Sequence, residues 1–466
     1  MPEHLLFLTG SLAELNLRRV LQDLGPVDFS WEVRNLGLKV AALMTGDMIL
    51  RRLPDVGDAD RVILPGRCRG DLAALQSHFG VAFERGPDEL RDLPEWLGHA
   101  GKPIDLTRHD VTLFAEIVDA PLLSLDAIGC RAEAMRRDGA DVIDLGCLPD
   151  QPFAHLTDAV RLLKDQGFQV SVDSLRSEDL IAGGQAGADY LLSLTEDTLW
   201  IADEVESTPV LIPSEHGCLD SLERAWRTLA DRGRPALVDP ILDPIHFGFV
   251  DSILRYRELR QRLPDAAIMM GVGNLTELTE ADTCGINALL FGMISELRAS
   301  AVLTTQVSPH CRSAIREADL ARRIMYRARD DGALPKQLHG GLTGLHERKP
   351  FPYNADDVAQ AAASVKDRNY RIQVTKDGVH IYNRELHRVA ADPFALFPDL
   401  GVESDGGHAF YLGVELARAE IAWLLGKRYT QDQPLNWGAA LPGDDDDKLD
   451  YAAVASTKRS PTARRD

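Results

Sequence analysis

The sequence predicts an α/β protein built around a central (β/α)8 barrel. Between residues 106 and 345, eight short apolar runs alternate with segments in which apolar residues recur every three to four positions. This alternation is typical of parallel strands joined by crossover helices, and a closed barrel of eight such units needs about 250 residues. The runs are VTLFAEIV (111–118), DVIDLG (141–146), FQVSVD (168–173), DYLLSL (189–194), PVLIPS (209–214), PALVDP (235–240), AAIMMGVGN (266–274) and AVLTTQVS (301–308).

Polar side chains lie at or near the ends of most of these runs. In a barrel the carboxyl ends of the strands share one face, and that face carries the active site. The sequence therefore predicts a functional site at this mouth. The polar residues concerned are Asp144, Asp173, Ser193, Ser214, Asp239, Asn274 and Ser308.

An α/β domain is expected over residues 1–105. It contains two strand–glycine–helix junctions, LTGSL and LPGRCRG, which either bind an anion at a helix N-terminus or simply form tight turns. The sequence has neither G-x-G-x-x-G nor G-x-x-x-x-G-K, so nothing in it supports a dinucleotide-binding or P-loop NTPase function.

A small α+β domain is expected over residues 346–440, after a Gly- and Pro-rich linker or covering loop at 332–354. NADDVAQAAASVK predicts a helix with an Asn N-cap, and YRIQVTKDGVHIYN predicts a β-hairpin. The helix that starts at HAFYLGVEL has a broad apolar face, which we expect to dock on a neighbouring domain. Residues 441–466 have opposite charge blocks and no apolar period, which predicts a disordered tail.

Composition narrows the class of protein. The formal net charge of −21 argues against nucleic acid or an anionic membrane surface as a partner. No basic leader is visible and no apolar run approaches the roughly 18 residues of a membrane span, so we expect a soluble, cytoplasmic protein. The six cysteines are widely spaced without C-x-x-C, which indicates reduced, buried thiols and no zinc site.

Three strand-end residues suggest a ligand. A carboxylate buried at the position of Asp173 or Asp239 must be paired or hydrogen-bonded, because isolated burial is costly. Each Asp alone is also explained as a helix N-cap. Two carboxylates and Asn274 on one rim, however, suit a flat heterocycle with several N–H donors, such as a pterin or a guanine-like ring, since a carboxylate accepts two parallel N–H bonds.

The order of four motifs resembles the pterin-binding barrels, a family of dihydropteroate synthases and of pterin-dependent methyltransferases that pass methyl groups to corrinoid proteins. The resemblance covers about half of the chain and implies that Asp173, Asp239 and Ser193 hold the pterin ring. Flanking segments such as DPFALF look like those of dihydropteroate synthase-like proteins of archaea and methylotrophic bacteria, which are associated with tetrahydromethanopterin biosynthesis. The motifs are G-A-D-V-I-D-L-G (139–146), V-S-V-D-S (170–174), A-L-V-D-P (236–240) and G-V-G-N (271–274).

The sequence departs from the synthases where these bind diphosphate and aminobenzoate. The family's Ser-Arg-Lys run after the seventh strand is replaced by Gly273-Asn274-Leu275, which resembles the methyltransferase branch, where an Asn contacts the pterin. GCLPDQP (146–152) lacks the Thr-Arg pair, and the Arg-x-His of the eighth strand is absent, with only Gln306, Ser308, His310 and Arg312 nearby.

We therefore assign phosphate stabilisation to His310 and Arg312. Most of the other arginines of the helix IREADLARRIMYRARDDG are expected to face solvent, with Arg316 the expected exception because it is nearest the rim. Further candidates for substrate contacts are Asp144, His216, His246, Ser308 and Arg316.

The resemblance implies a transferase that condenses a dihydropterin-methyl diphosphate with an arylamine to make a tetrahydromethanopterin- or folate-type one-carbon carrier. Two alternatives stay open: a pterin-dependent methyltransferase acting with a corrinoid protein, and a non-catalytic pterin-binding protein. The pterin is a substrate, and the sequence predicts no certain cofactor. Binding of Mg²⁺ stays open, because the ion often rides on the substrate diphosphate in this family and needs only one or two protein carboxylates plus substrate oxygens. By analogy with the family, a homodimer is expected.

Overall fold

The structure is a computed structural model that describes residues 2–100, 104–148, 151–347 and 349–441. The predicted tail lies outside these residues, apart from Leu441. The chain separates into two compact units. One comprises residues 2–108 with Arg327–Leu338, and the other comprises His109–Tyr326 with the described residues from His339 onward.

The first unit contains a four-stranded parallel sheet in the order β2-β1-β3-β4. Strand β1, one of the two central strands, is apolar on both faces: Leu6 and Leu8 belong to one buried cluster, and Leu5 and Phe7 to another. A strand buried on both faces is typical of a parallel sheet. The strands are β1 (Glu3–Thr9), β2 (Phe29–Asn35), β3 (Arg61–Leu64) and β4 (Ala82–Arg85), and the helices are α1 (Ser11–Asp23), α2 (Gly46–Arg52), α3 (Leu72–Phe79) and α4 (Leu93–Trp96).

The two glycine junctions of this unit are tight turns. At the start of α1, the amide of Ser11 donates to the carbonyl of Leu38 at 2.7 Å, and a Cβ on Gly10 would lie 2.7 Å from the same oxygen. At the second junction the next helix begins only at Leu72, and Asp71 caps it. Because the chain itself satisfies these helix N-termini, the anion-binding alternative is wrong.

The second unit contains the predicted barrel. Each of the eight apolar runs contains a strand, all neighbouring strands are parallel, and β12 pairs with β5 to close the sheet. The strands are β5 (Thr112–Ile117), β6 (Val142–Gly146), β7 (Gln169–Asp173), β8 (Tyr190–Leu194), β9 (Thr208–Leu211), β10 (Leu237–Val238), β11 (Ala267–Gly271) and β12 (Ala301–Thr304). The helices that surround it are α5 (Leu125–Arg137), α6 (Leu156–Asp165), α7 (Ser177–Gln185), α8 (Ile201–Glu204), α9 (Leu219–Asp231), α10 (Phe249–Arg262), α11 (Gly273–Thr276), α12 (Thr283–Leu297) and α13 (Ala314–Asp330).

Alternate residues of the barrel strands fill its interior. The outward set packs against the helices and forms the largest buried cluster. The inward set forms a separate small cluster, as the two-residue period of a strand requires. The inward buried residues are Phe114, Val142, Leu192, Val210, Met269 and Ala301. This apolar plug leaves an inward-facing position at the carboxyl end of several strands for a polar side chain.

A buried arginine lies near the amino ends of the strands. Arg322 of α13 is 2 % exposed, donates to Asp319 at 2.6 Å and to Asp141, and binds the carbonyls of Val111 and Gly139 at 2.6 and 3.0 Å. The expectation that most arginines of this helix face solvent is wrong: Arg323, Arg327 and Arg329 are half-buried, and Arg322 is buried. Two carboxylates neutralise its charge, which makes burial tolerable.

The C-terminal part of this unit contains an antiparallel sheet in the order β13-β14-β15. The Asn N-cap is confirmed, since the Asn354 side chain accepts from the amide of Asp357 at 2.9 Å. The hairpin is confirmed as β13 (Arg371–Thr375) and β14 (Gly378–Tyr382). The remaining elements are α14 (Ala355–Ser364), β15 (His387–Ala390), α15 (Pro393–Leu396) and α16 (Gly406–Leu425).

Helix α16 packs on its own sheet. Its buried Leu412 and Leu416 share one apolar cluster with Ile372 and Val379 of the hairpin. The expectation that this helix docks on a neighbouring domain is therefore corrected, because the three-stranded sheet needs a covering layer of its own. In the described ranges no helix is both long and apolar enough to cross a bilayer. All six cysteines are free thiols; two are buried, and Cys130 is exposed.

Candidate functional site

A cavity of about 510 Å³ opens at the carboxyl ends of the barrel strands. Five of the residues that the sequence singled out line it together: Asp173, Ser193, Asp239, Asn274 and Ser308. Apolar side chains form part of the wall, and both aspartates line the same open cavity. The cavity therefore has the volume and the mixed lining of a small-molecule site.

Asp173 is the last residue of β7 and accepts a hydrogen bond from the Ser193 hydroxyl at 2.7 Å. Ser193 reaches the cavity because the β8–β9 register shifts between Leu191 and Leu194 and its own φ is 70°. Such a bulge re-aims a side chain that strict alternation would point outward. Burial raises the pKa of Asp173, although the Ser193 hydrogen bond opposes the shift. Helix α7 begins only at Ser177, so Asp173 is not its N-cap.

Asp239 follows β10 and is held by two donors. The Tyr256 hydroxyl and the backbone amide of Ile241 both donate to its Oδ1, at 2.6 and 2.7 Å. Its Oδ2 makes no hydrogen bond to the described residues and is free to accept from a ligand. Burial raises the pKa of Asp239 to about 6 against the effect of these two bonds. Because α10 begins at Phe249, the N-cap alternative is excluded here as well.

Asn274 and Glu277 line the wall formed by α11 and the residue after it. The Asn274 amide nitrogen donates to the carbonyl of Leu242 at 2.7 Å, so its side-chain oxygen remains available. Glu277 accepts from the amides of Val307 and Ser308 at 2.8 and 2.9 Å. Burial favours the protonated form of Glu277, but these hydrogen bonds prevail and lower its pKa. This carboxylate is thus satisfied by the protein itself.

Glu116 is a cavity residue that the sequence analysis missed. It lies in β5 two residues after Phe114, whose side chain points into the barrel. Because side chains alternate along a strand, this spacing predicts that Glu116 also points inward. Carboxylate oxygens of Glu116, Asp144 and Asp173 lie within 4.8 Å of one another. Burial and the charge of Asp173 raise the pKa of Glu116 to about 7. Burial and these two neighbours hold the pKa of Asp144 well above its usual range, although Ser171 donates to it.

The two residues predicted to be catalytic do not line the cavity. The His310 ring is half-buried, and its Nε2 lies 3.1 Å from the carbonyl of Thr276. Arg312 is exposed and forms no ion pair within the part of the chain that the structure describes. Any contact of these two with a ligand would therefore be made outside the cavity, and their catalytic role stays a prediction.

Three further candidates also lie outside the lining. His216 pairs with Asp243, with 3.2 Å between Nε2 and Oδ1. His246 is exposed in the loop before α10, with a φ of 70°. Arg316 is engaged by Asp138, with 3.0 Å between Nε and Oδ1. The structure thus brings five predicted residues together in the cavity, puts Asp144 next to it, and leaves the predicted cationic groups elsewhere.

All the titratable side chains in the described lining of the cavity are acidic. Four carboxylic acids face the cavity, and no Lys, Arg or His occurs among the described residues that line it; the acids are Glu116, Asp173, Asp239 and Glu277. Such a site favours a ligand that is rich in N–H donors or positively charged, and it repels a phosphate.

Comparison with known proteins gives three findings. Residues 3–88 match a family of unknown function, DUF6513. The uncharacterized protein MJ0107 of Methanocaldococcus jannaschii is 26% identical in an alignment that is 522 positions long and covers 92% of this chain and 98% of that protein. Solved structures of dihydropteroate synthases also match, but over about half of this chain.

The Yersinia pestis dihydropteroate synthase, solved with a pterine-sulfa conjugate, has a TM-score of 0.38 and 16% identity, covering 48% of this chain and 96% of the synthase. The Coxiella burnetii enzyme, solved with pteroic acid, has a TM-score of 0.37 and 16% identity, covering 48% of this chain and 94% of that enzyme. The chain is therefore similar over nearly its whole length to a protein of uncharacterized function, and over about half of its length to dihydropteroate synthases.

Proposed function

We propose that this protein is a pterin-binding transferase that resembles dihydropteroate synthase and acts in the biosynthesis of a tetrahydromethanopterin- or folate-type carrier. It would join a dihydropterin-methyl diphosphate to an arylamine. The observation that carries the proposal is the convergence of Asp173, Ser193, Asp239 and Asn274 on one acidic cavity. The motifs that contain Asp173, Asp239 and Asn274 resemble those of the pterin-binding barrels.

Ring binding would use acceptors that the protein already orients. Asp239 presents Oδ2 because Tyr256 and Ile241 occupy Oδ1. In the same way, the Ser193 hydroxyl donates to Oδ1 of Asp173, which leaves Oδ2 for the ligand. A free carboxylate oxygen accepts a charge-assisted N–H bond, so the two acids together suit the donor-rich edges of a pterin. The Asn274 oxygen adds a further acceptor.

The acidic wall also suits the chemistry. When the C–O bond to the diphosphate breaks, the pair of electrons leaves with the diphosphate and the ring methylene becomes a stabilised cation. The carboxylates that face it lower the energy of this developing positive charge. The arylamine nitrogen then forms the new C–N bond and releases its proton to water or to a cavity carboxylate. The diphosphate would leave the cavity toward the exposed Arg312. The half-buried His310, whose ring contacts the carbonyl of Thr276, is two residues before Arg312 in the chain.

The test is calorimetry with a dihydropterin, followed by a diphosphate-release assay with both substrates. Asp173→Asn and Asp239→Asn should each weaken binding by about 1.5–3 kcal/mol, because a charged acceptor is lost. Glu178→Gln is the matched control, since this exposed acid follows the same strand outside the cavity. Unchanged ring affinity in both cavity variants would reject the assignment. Ring binding without diphosphate release would favour a non-catalytic binding protein.

Pterin-dependent methyl transfer is the second candidate, and a specific observation favours it. The described lining contains no basic side chain for a diphosphate, and Asn274 stands where the methyltransferase branch has an Asn. This function needs a corrinoid protein as partner. Incubation with a methylated pterin and a corrinoid protein, monitored by the cobalt absorption spectrum, distinguishes it from condensation.

A further inference from the structure

Three neighbouring strands bring three carboxyl groups to one point at the edge of the cavity. In the barrel register, Glu116 of β5 stands beside Asp144 of β6, and Gly146 of β6 stands beside Asp173 of β7. The oxygens that these acids offer all lie within 4.8 Å of one another. We call Glu116, Asp144 and Asp173 the carboxylate triad.

Among the residues that the structure describes, no basic side chain pairs with the triad. Asp144 is 0 % exposed, and while its Oδ1 accepts from Ser171, its Oδ2 has no hydrogen-bond partner among the described residues. The Glu116 carboxylate likewise accepts no hydrogen bond within the described ranges. A buried, unpaired carboxylate costs several kcal/mol. The site must therefore be neutralised by protons or by a cation.

The spacing matches the coordination sphere of a hard cation. Mg²⁺ and Ca²⁺ bind oxygen at about 2.0–2.6 Å, so two ligands on opposite sides of one ion lie about 4–5 Å apart. The local sequence preserves the space for this arrangement: a Cβ on Gly146 would stand 2.7 Å from Glu116 Oε1. Ser171 fixes Asp144 from behind, as outer-shell donors do for ligating carboxylates.

We propose that Glu116, Asp144 and Asp173 bind one divalent hard cation of the Mg²⁺, Mn²⁺ or Ca²⁺ class. Glu116 and Asp173 line the cavity, so water or a ligand oxygen can complete the coordination shell from that side. The ion would supply the positive charge that the described lining lacks. The inference rests on the triad geometry and shares only Asp173 with the proposed function.

The probe is Mn²⁺, measured by electron paramagnetic resonance on the full chain after metal removal, at slightly alkaline pH. We expect one bound Mn²⁺ per chain. Glu116→Gln and Asp144→Asn remove a ligand and should each weaken Mn²⁺ binding by at least about tenfold, and Ser171→Ala, which only frees the Asp144 carboxylate, by about tenfold. Gly146→Ala keeps every carboxylate but displaces Glu116, and it should weaken binding as well.

Two control variants remove an acid from the same cavity without touching the triad. Asp239→Asn and Glu277→Gln should keep the Mn²⁺ affinity, whereas Asp239→Asn should weaken the binding of the pterin. This separates failure of the cation site from failure of the proposed function. The cation should also raise the melting temperature of the wild-type chain, and less so that of Gly146→Ala. Absence of Mn²⁺ binding to the wild-type chain at millimolar concentration, or equal loss in the controls, would overturn the proposal.

Discussion

The two ends of the barrel contain buried charge in opposite arrangements. Near the amino ends of the strands, Arg322 is surrounded by Asp141 and Asp319, and every charge has a partner within hydrogen-bond distance. At the carboxyl ends, the buried Asp144 and the half-buried Glu116 lie beside Asp173, and none of the described residues that line the cavity is basic. Within the described residues, the buried charge is thus neutralised at one end of the barrel and not at the other.

The difference indicates which end of the barrel stabilises the fold and which end is suited to bind a ligand. In (β/α)8 barrels the amino-terminal face is associated with stability and the carboxyl-terminal face with chemistry. A matched cluster such as that of Arg322 holds elements together, and it is costly to break. Unmatched acids with raised pKa values mark a site that something else must complete. Substitutions at the two ends should therefore change stability in opposite directions.

Arg322→Met should produce the largest effect. It leaves Asp141 and Asp319 without their cation, and breaking a buried pair costs about 3–5 kcal/mol of the free energy of unfolding. Urea denaturation measures this change. Arg232→Met removes an exposed pair with Asp203 and should cost less than about 1 kcal/mol. Equal effects of the two variants would show that the buried cluster does not stabilise the barrel.

Asp239→Asn should have the opposite sign in the ligand-free protein. The pKa of Asp239 in the folded chain is about 6, above its ordinary value of 3.8, so its ionisation disfavours folding once the pH exceeds this range. The asparagine keeps an oxygen for Tyr256 and should stabilise the fold by about 1–3 kcal/mol well above pH 6. The gain should disappear below pH 4, where both states are protonated. Thermal unfolding over this pH range tests the sign.

The pH dependence of pterin binding tests whether Asp239 must be ionised to bind the ring. Only the ionised Asp239 accepts N–H bonds at both oxygens, so affinity should fall as the pH drops through about 6. Tyr256→Phe removes the hydroxyl that stabilises this anion, which should raise the midpoint by about one pH unit. Calorimetric titrations at several pH values give both midpoints. An unmoved midpoint in the Phe variant would show that Asp239 does not control binding.

The smallest expected effect is at Ser193. Its φ of 70° lies in the left-handed region, where a residue with a Cβ lowers the stability of the fold by about 1 kcal/mol relative to glycine. Ser193→Gly should therefore be more stable than Ser193→Ala by about that amount, although both lose the hydroxyl bound to Asp173. Chemical denaturation compares the pair. Equal stability would show that the bulge stores no strain.

Much of the fold was accessible from the sequence because the barrel repeats a simple pattern. Each apolar run became a strand, and the strand-end positions of Asp173, Asp239 and Asn274 predicted their meeting, since parallel strands end on one face. Ser193 was found for the same reason, although its orientation depends on a bulge that no local signal announces.

What the sequence concealed depends on contacts between distant segments. Tyr256 reaches Asp239 from the middle of a helix, where an apolar-face tyrosine looks like ordinary core. Glu116 lies inside β5 rather than at its end, so its place in the sequence does not mark it as a residue of the barrel mouth. Arg316 was expected near a phosphate, but its partner Asp138 is 178 residues away in the chain.

The carboxylate triad comes entirely from strands, whereas the predicted histidines and Arg312 come from loops and helix starts. In evolutionary terms the two sets are separable. Loops of a barrel tolerate insertion and exchange, while strand residues are constrained by their neighbours on both sides. A lineage could thus exchange these loop and helix-start residues while it keeps the three strand carboxylates.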